Sequence, residues 1–145
     1  MSIWFGTPSV DTLNSIGENT IHDALEIRFT VIGDDYLQAT MPVDHRTHQP
    51  YGLLHGGASV VLAESLGSTG AGLCVDHQRN YVVGQEINAN HLRSVTDGHV
   101  TGTARPIHTG RRSHVWEVRV MDDRNRLICI SRMTLAVLPR KTDSG

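Results

Sequence analysis

The sequence is poor in the residues that mark several common protein classes. Only two of its 145 residues are cysteines, Cys74 and Cys129, and aromatic residues make up 5%. Two cysteines cannot build a framework of disulfides, so we expect free thiols and a reducing compartment. The formal net charge is only −2. Near-neutral charge and few aromatic rings both argue against a nucleic-acid-binding protein.

The chain also lacks long apolar segments. No apolar run approaches the roughly 18 residues that a transmembrane helix requires. Residues 1–6 lack the basic region and long apolar core that begin a secretion signal. We therefore expect a cytoplasmic protein without a membrane partner. At this length, the natural expectation is one domain spanning residues 1–145.

Hydrophobic periodicity predicts an α+β fold with one long helix. Weak helical patterns form an N-terminal lead-in over residues 1–24, in which Ser9 is a candidate N-cap, and residues 139–145 form a tail. Strands are predicted at 25–31, 37–41, 81–93, 100–107, 116–120 and 127–138, and the helix at 57–73. Short turns between successive strands favour an antiparallel sheet, against which the apolar helix would pack.

The segment Gln49–Ser68 carries the most informative residues. Glu64 is the single acid in the middle of the apolar helix, and a carboxylate there is costly to bury unless something uses or pairs it. At the helix start, Gly56 and Gly57 expose backbone N–H groups where the helix dipole favours negative charge. The segment therefore offers an oxyanion-binding N–H at Gly56 and a carboxylate that could act as base or nucleophile.

The spacing of Gly56 and Glu64 limits how they can cooperate. They are eight residues apart, which corresponds to roughly 12 Å along a helix. That distance is too long for both groups to contact one carbonyl. If both serve one reaction, they must come from different subunits, and the active site must be shared across a dimer interface.

The loop, the His55-Gly56-Gly57 sequence and the mid-helix Glu64 resemble the hotdog-fold acyl-CoA thioesterases. The segments 39–44, 86–91 and 131–134 also resemble one bacterial branch of this family. That branch includes a 1,4-dihydroxy-2-naphthoyl-CoA hydrolase of menaquinone synthesis and a proofreading thioesterase of enterobactin synthesis. The resemblance, over about residues 25–138, implies a sheet wrapped around the helix and an acyl-CoA substrate. It also implies dimers with shared sites, assembled as tetramers of two dimers, and no cofactor.

The resemblance also implies roles for the residues around the helix. Glu64 would attack the thioester directly or deprotonate a water, and the sequence does not choose between these routes. The Gly56 N–H would face the thioester oxygen, while His55 would polarise the thioester or orient the loop. Gln49 would lie near the thioester or the attacking water. Ser68, one turn after Glu64, would bond the carboxylate, a water or the leaving group. Each also has a purely structural alternative.

A second group of residues would bind coenzyme A. His91 and Arg93 are expected on one face of a strand. A predicted basic turn would add donors for phosphate oxygens at His108, Thr109, Gly110, Arg111 and Arg112, with a solvated turn as the alternative. A sheet edge pairing with the pantetheine amides is predicted at Val83, Gly84 and Gln85, although an apolar residue is usual where Gln85 stands. Candidates for the acyl pocket, with ordinary core roles as alternatives, are Tyr51, Leu54 and Val61.

Three functions remain open at this level. The first is hydrolysis of an aromatic acyl-CoA, with 1,4-dihydroxy-2-naphthoyl-CoA as the first choice. The second is clearance of misacylated aryl carrier protein in siderophore assembly, in which Arg111 and Arg112 would face an acidic helix. The third, a non-catalytic acyl-CoA binder, is disfavoured by the presence of Glu64. A metal site near Asp44 and His48 is rejected because no matched ligand cluster accompanies them.

Overall fold

The computed structural model describes residues 1–141 and contains the predicted elements in the predicted order. These elements are α1 (Val10–Ile16), α2 (Ile21–Ala24), β1 (Arg28–Ile32), β2 (Leu37–Pro42), α3 (Gly56–Leu73), β3 (Asn80–His91), β4 (His99–Thr109), β5 (Ser113–Asp122) and β6 (Leu127–Pro139). The first strand begins later than predicted, because Leu25 caps the end of α2 and Glu26 adopts a positive φ of 54°. Of the predicted tail, Pro139 ends β6, and residues 142–145 lie outside the described residues.

The strands form one antiparallel sheet in the order β1-β2-β4-β5-β6-β3. β6 lies inside the sheet, as its apolar pattern predicts, whereas β1 and β3 form the two edges. The core is the layer between the sheet and α3, where the fully buried Leu62 and Leu66 pack with Trp116 and Met133. This arrangement is the expected α+β architecture of one sheet around one long helix.

The helix α3 has two faces of different character. Its inner face packs on the sheet through a buried stripe of mostly small and apolar residues: Ala58, Ser59, Leu62, Ala63, Leu66, Gly67 and Gly70. The approach is close, since a Cβ atom on Gly70 would lie 2.7 Å from the Trp116 ring. Its outer face is half-exposed and consists of Val60, Val61, Glu64, Ser65, Ser68 and Thr69. Neither α3 nor any other helix in the described part of the chain is long and apolar enough to cross a bilayer.

The N-terminal lead-in is fixed to the sheet and to α3. Trp4 stacks on Trp116 with 6.2 Å between ring centroids, and the Phe5 N–H donates to the carbonyl of Leu73 at 2.7 Å. In α1, the side-chain amide of Asn14 donates to the carbonyl of Phe29 at 3.0 Å and accepts from its N–H at 2.9 Å. The predicted N-cap is confirmed, because the Ser9 hydroxyl accepts the Thr12 N–H. The lead-in is therefore held beside the outer face of α3.

Candidate active site

Glu64 lies at the centre of the outer face of α3 and opens onto an apolar cleft of about 390 Å³. The other residues that line this Glu64 cleft are Ile21, Val60, Val61, Ser65 and Ile87. Ser65 donates its hydroxyl to the carbonyl of Val61 at 2.7 Å, a bond that stays within the helix. The carboxylate therefore stands in surroundings that are mostly apolar and open to a ligand.

The edge strand β3 approaches the Glu64 carboxylate through Gly84. A Cβ atom on Gly84 would lie 2.6 Å from Oε1 of Glu64, so a larger residue at position 84 would displace this carboxylate. The pairing of β3 with β6 shifts between Gly84 and Glu86, which leaves Gln85 as the extra residue of a β-bulge. Bulges redirect the backbone locally and recur beside active sites. The predicted sheet edge at Val83, Gly84 and Gln85 is confirmed as an edge, and its contact with pantetheine stays a prediction.

The start of α3 forms a second cleft, of about 380 Å³. The residues that line this Gly56 cleft are Gln49, Leu53, Leu54, Gly56, Ser59, His91, Leu92, Arg93, Ser94 and Ile128. His55 is the N-cap, and its Nδ1 accepts the Gly57 N–H at 2.7 Å. Gly56 is the first helical residue, and a Cβ atom on it would lie 2.8 Å from Nε2 of His91. The structure thus gives His55 a capping role and places Gly56 beside a ring nitrogen.

Gln49 stabilises the loop that precedes α3 through hydrogen bonds of its backbone and its side chain. Its backbone N–H donates to the carbonyl of Leu53 at 2.8 Å, and its carbonyl accepts the Gly52 N–H at 2.9 Å. The side-chain oxygen accepts the N–H of Tyr51. Gln49 therefore lines the Gly56 cleft while its side-chain oxygen is bonded within its own loop, and its place near the thioester or the attacking water stays a prediction.

Within one chain, Glu64 and Gly56 line different clefts. This separation is what their spacing along α3 predicts. Ser68 shares the outer face with Glu64, as predicted, but opens onto a third cleft of about 390 Å³. This Ser68 cleft is also lined by Leu13, Ile16, His22, Phe29, Thr69, Gly72, Leu73, His77, Tyr81, Val82 and Arg140. A single chain does not bring the predicted catalytic residues together.

His91 and Arg93 both line the Gly56 cleft, but the prediction that they share a strand face is wrong. β3 ends at His91, and the N–H groups of Leu92 and Arg93 both point to the carbonyl of Ile128. The chain therefore leaves the ladder before Arg93. Both residues still line the same cleft, where the exposed Arg93 guanidinium can bind an anion.

The basic turn is shorter than predicted. His108 and Thr109 continue β4 past a bulge at Ile107, so that only Gly110, Arg111 and Arg112 connect β4 to β5. The turn borders a fourth cleft of about 310 Å³, to which it contributes Gly110 and Arg111. The correction arises because the register shift between Pro106 and His108 lets β4 pair with β5 for two more residues.

His114, which is not among the predicted site residues, also lines the fourth cleft. His114 is only 3% exposed and its Nδ1 has no partner among the described residues. Burial and the neighbouring His108 lower its pKa. The alternation of buried residues along β5 could have predicted this burial, because His114 shares the inward face of the strand with Trp116 and Val118. In the same cleft, burial raises the pKa of the Cys74 thiol to about 11, which makes it a poor nucleophile.

The remaining candidates occupy scattered positions. Tyr51 is 89% exposed, Leu54 lines the Gly56 cleft and Val61 lines the Glu64 cleft. Near the rejected metal site, Arg46 binds the Asp44 carboxylate at 2.7 Å, and its guanidinium holds the pKa of Asp44 well below its usual range. Asp44 is therefore committed to an ion pair.

Comparison with known proteins identifies the family. A sequence model of the thioesterase superfamily matches residues 51–129. A putative esterase of Pseudomonas aeruginosa is 56% identical over 145 residues, which cover 100% of both chains. The chain belongs to the thioesterase superfamily. The hotdog fold of this superfamily is the fold described above, and the protein is a thioester hydrolase.

Other relatives of this thioesterase carry more specific names. The 1,4-dihydroxy-2-naphthoyl-CoA hydrolase of Escherichia coli is 53% identical over 136 residues, covering 94% of this chain and 99% of that protein. The proofreading thioesterase EntH of Cronobacter turicensis is 48% identical over 136 residues, covering 94% and 98%. A crystal structure of a Q49A mutant thioesterase from Pseudomonas aeruginosa superposes with a TM-score of 0.94 at 55% identity, over 96% of this chain and 100% of that one.

Proposed function

We propose that this thioesterase hydrolyses an aromatic acyl-CoA, with 1,4-dihydroxy-2-naphthoyl-CoA of menaquinone biosynthesis as the foremost substrate. The observation that carries the proposal is the Glu64 carboxylate in an apolar cleft, facing Gly84. An apolar cleft suits an aromatic ring, while the carboxylate supplies the chemistry. The 53% identity to a hydrolase of this substrate supports the choice of acyl group.

The mechanism uses one group from each of two subunits. The Gly56 N–H of one subunit donates to the thioester oxygen as negative charge develops there. Glu64 of the other subunit attacks the carbonyl carbon to form a mixed anhydride, or takes a proton from an attacking water. Both routes break the carbon–sulfur bond and release coenzyme A as the thiol. In the anhydride route a water then hydrolyses the bond between the acyl group and Glu64, which regenerates the carboxylate and gives the free acid, whereas in the base route the attacking water gives the acid directly. Water is the only co-reactant.

The edge strand β3 supports the assembly that this mechanism requires. It is 12 residues long, most of its residues are exposed, and its outer edge lacks a partner strand among the described residues. An exposed edge of this length readily pairs with a second copy. We propose a dimer with shared sites and a tetramer of two such dimers. The free Cys74 and Cys129 fit a cytoplasmic location.

A second candidate substrate is an acylated aryl carrier protein. The 48% identity to a proofreading thioesterase and the exposed Arg111 and Arg112 favour it, because carrier proteins present an acidic helix beside their pantetheine arm. The same two arginines would serve the phosphates of coenzyme A equally well. The chemistry at Glu64 is the same for both substrates.

The test is thiol release from 1,4-dihydroxy-2-naphthoyl-CoA, benzoyl-CoA and a medium-chain acyl-CoA by wild type and Glu64→Gln. We expect fast turnover of the aromatic substrates and a loss of at least about a hundredfold in the variant, equivalent to roughly 2.7 kcal/mol of barrier. Glu117 on β5 provides a matched control, because Glu117→Gln makes the same change at a residue that lines none of the clefts described above.

Each outcome has a defined meaning. Preference for the naphthoyl thioester favours the quinone pathway, and slow turnover of every CoA thioester with fast turnover of acylated carrier protein favours the siderophore role. Equal activity of wild type and Glu64→Gln would overturn the mechanism. No hydrolysis of any thioester would overturn the proposed function.

A further inference from the structure

The Glu64 cleft and the Ser68 cleft follow each other along the outer face of α3. Glu64 and Ser68 are one turn apart, which is about 6 Å along the helix axis. Both clefts measure about 390 Å³, which falls within the range of roughly 300–1,000 Å³ typical of small-ligand pockets. An acyl group whose carbonyl carbon lies at Glu64 therefore has room to extend in this direction.

The lead-in supplies the outer wall of both clefts. Ile21 of α2 lines the Glu64 cleft, and Leu13 and Ile16 of α1 line the Ser68 cleft. Ile16 is 71% exposed and Ile21 is 52% exposed, although each borders a concave apolar surface. A bound apolar group would cover both side chains and remove their surface from water, which is favourable.

The position of this wall is fixed before any ligand binds. The paired hydrogen bonds between Asn14 and Phe29 hold α1 against β1. The Thr20 hydroxyl donates to the carbonyl of Gly17 at 2.6 Å and accepts the His22 N–H, which fixes the connection between α1 and α2. A wall that is already ordered loses little conformational freedom on binding and discriminates by shape.

The Gly56 cleft differs in chemistry from these two clefts. It contains the amide of Gln49, the ring of His91 and the guanidinium of Arg93. Polar and cationic groups suit the amides and phosphates of coenzyme A, whereas the clefts behind Ile16 and Ile21 suit an uncharged ring system. We therefore expect the coenzyme A part of the substrate to bind in the Gly56 cleft and the acyl part in the two apolar clefts, with the thioester between them.

We infer that α1 and α2 form the outer wall of the acyl site, and that Ile21 and Ile16 set the size of the aromatic group accepted. Ile21 contacts the ring nearest the carbonyl, and Ile16 contacts a second fused ring. The inference rests on the proposed function, because it places the thioester at Glu64. The superfamily match begins at residue 51, so the wall lies outside the matched segment.

The test compares kcat/KM of Ile21→Ala and Ile16→Ala on naphthoyl-CoA, benzoyl-CoA and acetyl-CoA thioesters. We expect Ile21→Ala to lower kcat/KM at least about fivefold for both aromatic substrates, mainly through KM, and Ile16→Ala to do so only for the naphthoyl substrate. Acetyl-CoA hydrolysis should stay unchanged. Ile107→Ala is the matched control, since Ile107 is 53% exposed on β4 and borders neither cleft.

Three results would overturn this assignment in distinguishable ways. If both variants are active and the ratios of kcat/KM among the three substrates match those of wild type, the assignment of the acyl wall is wrong and the proposed function is unaffected. Loss of oligomer mass in the two variants, with unchanged substrate ratios in the remaining active protein, would make the clefts a contact between subunits. Absence of aromatic thioester hydrolysis by wild type would overturn the proposed function and the assignment with it.

Discussion

At the scale of single residues, the proposed chemistry needs one backbone N–H in addition to the Glu64 carboxylate. Gly56 occupies the first position of α3, where proline is well tolerated because that N–H has no partner within the helix. His55, with φ −67° and ψ 130°, already has the extended conformation that a following proline requires. A proline here would remove the N–H and keep the helix start.

We predict that Gly56→Pro loses at least about a hundredfold in kcat relative to Gly56→Ala, because it removes the donor to the thioester oxygen. Gly56→Ala is the control, since both variants add a Cβ atom against the His91 ring and only one loses the N–H. Steady-state kinetics and thermal unfolding of both proteins give the comparison. Equal kcat values for the two variants would rule out the N–H as the oxyanion donor.

The positions of helix residues were predictable from the sequence, whereas the positions of residues at strand ends were not. Gly56, Glu64 and Ser68 lie on α3 as predicted, because helical periodicity fixes direction over many residues. Arg93 and His108 were misplaced, because strand ends depend on bulges and partner strands that the local sequence does not encode.

At the scale of elements, the bulge in β3 lies directly beside Gly84, the residue of this strand that approaches the Glu64 carboxylate. It was not predictable from the sequence, since the pattern of residues 80–91 gives no sign of an extra residue at Gln85. The helices, the order of the elements and the interior position of β6 were predictable, because long apolar patterns specify them.

We predict that Gly84→Ala lowers kcat about tenfold and leaves KM nearly unchanged, because the added methyl group displaces the Glu64 carboxylate. The fold should be retained, since Gly84 is exposed on an edge strand. In a Glu64→Gln background the same change should cost nothing further. Additive losses in the double variant, or a change confined to KM, would instead assign Gly84 to substrate binding.

At the scale of the whole molecule, one chain keeps the two groups of the proposed mechanism apart. The Gly56 cleft holds the predicted donor and the cationic side chain of Arg93, while the carboxylate opens onto the Glu64 cleft. The spacing of Gly56 and Glu64 along the helix predicted that they lie apart. The shapes of the clefts could not be predicted, because they depend on how the lead-in and the bulged edge strand fold against α3. The proposed mechanism therefore requires two copies of the chain to combine the donor and the carboxylate.

Co-expression of Glu64→Gln with Gly56→Pro, on differently tagged chains, tests this requirement. Randomly paired dimers are mixed in half of cases, and each mixed dimer would carry one intact site of two, so we predict about a quarter of wild-type activity. Each variant expressed alone sets the baseline. Activity of the mixture no higher than the mean of the two baselines would mean that both groups act within one chain.

The stack of Trp4 on Trp116 has an optical consequence. These are the only tryptophans of the chain, and their rings lie 6.2 Å apart at an interplanar angle of 15°. One ring is fully buried in the sheet and the other belongs to the lead-in, so coupling between the two indoles exists only while the lead-in is seated. The native chain thus carries its own spectroscopic reporter of whether the segment beside the outer face of α3 is in place, without an added label.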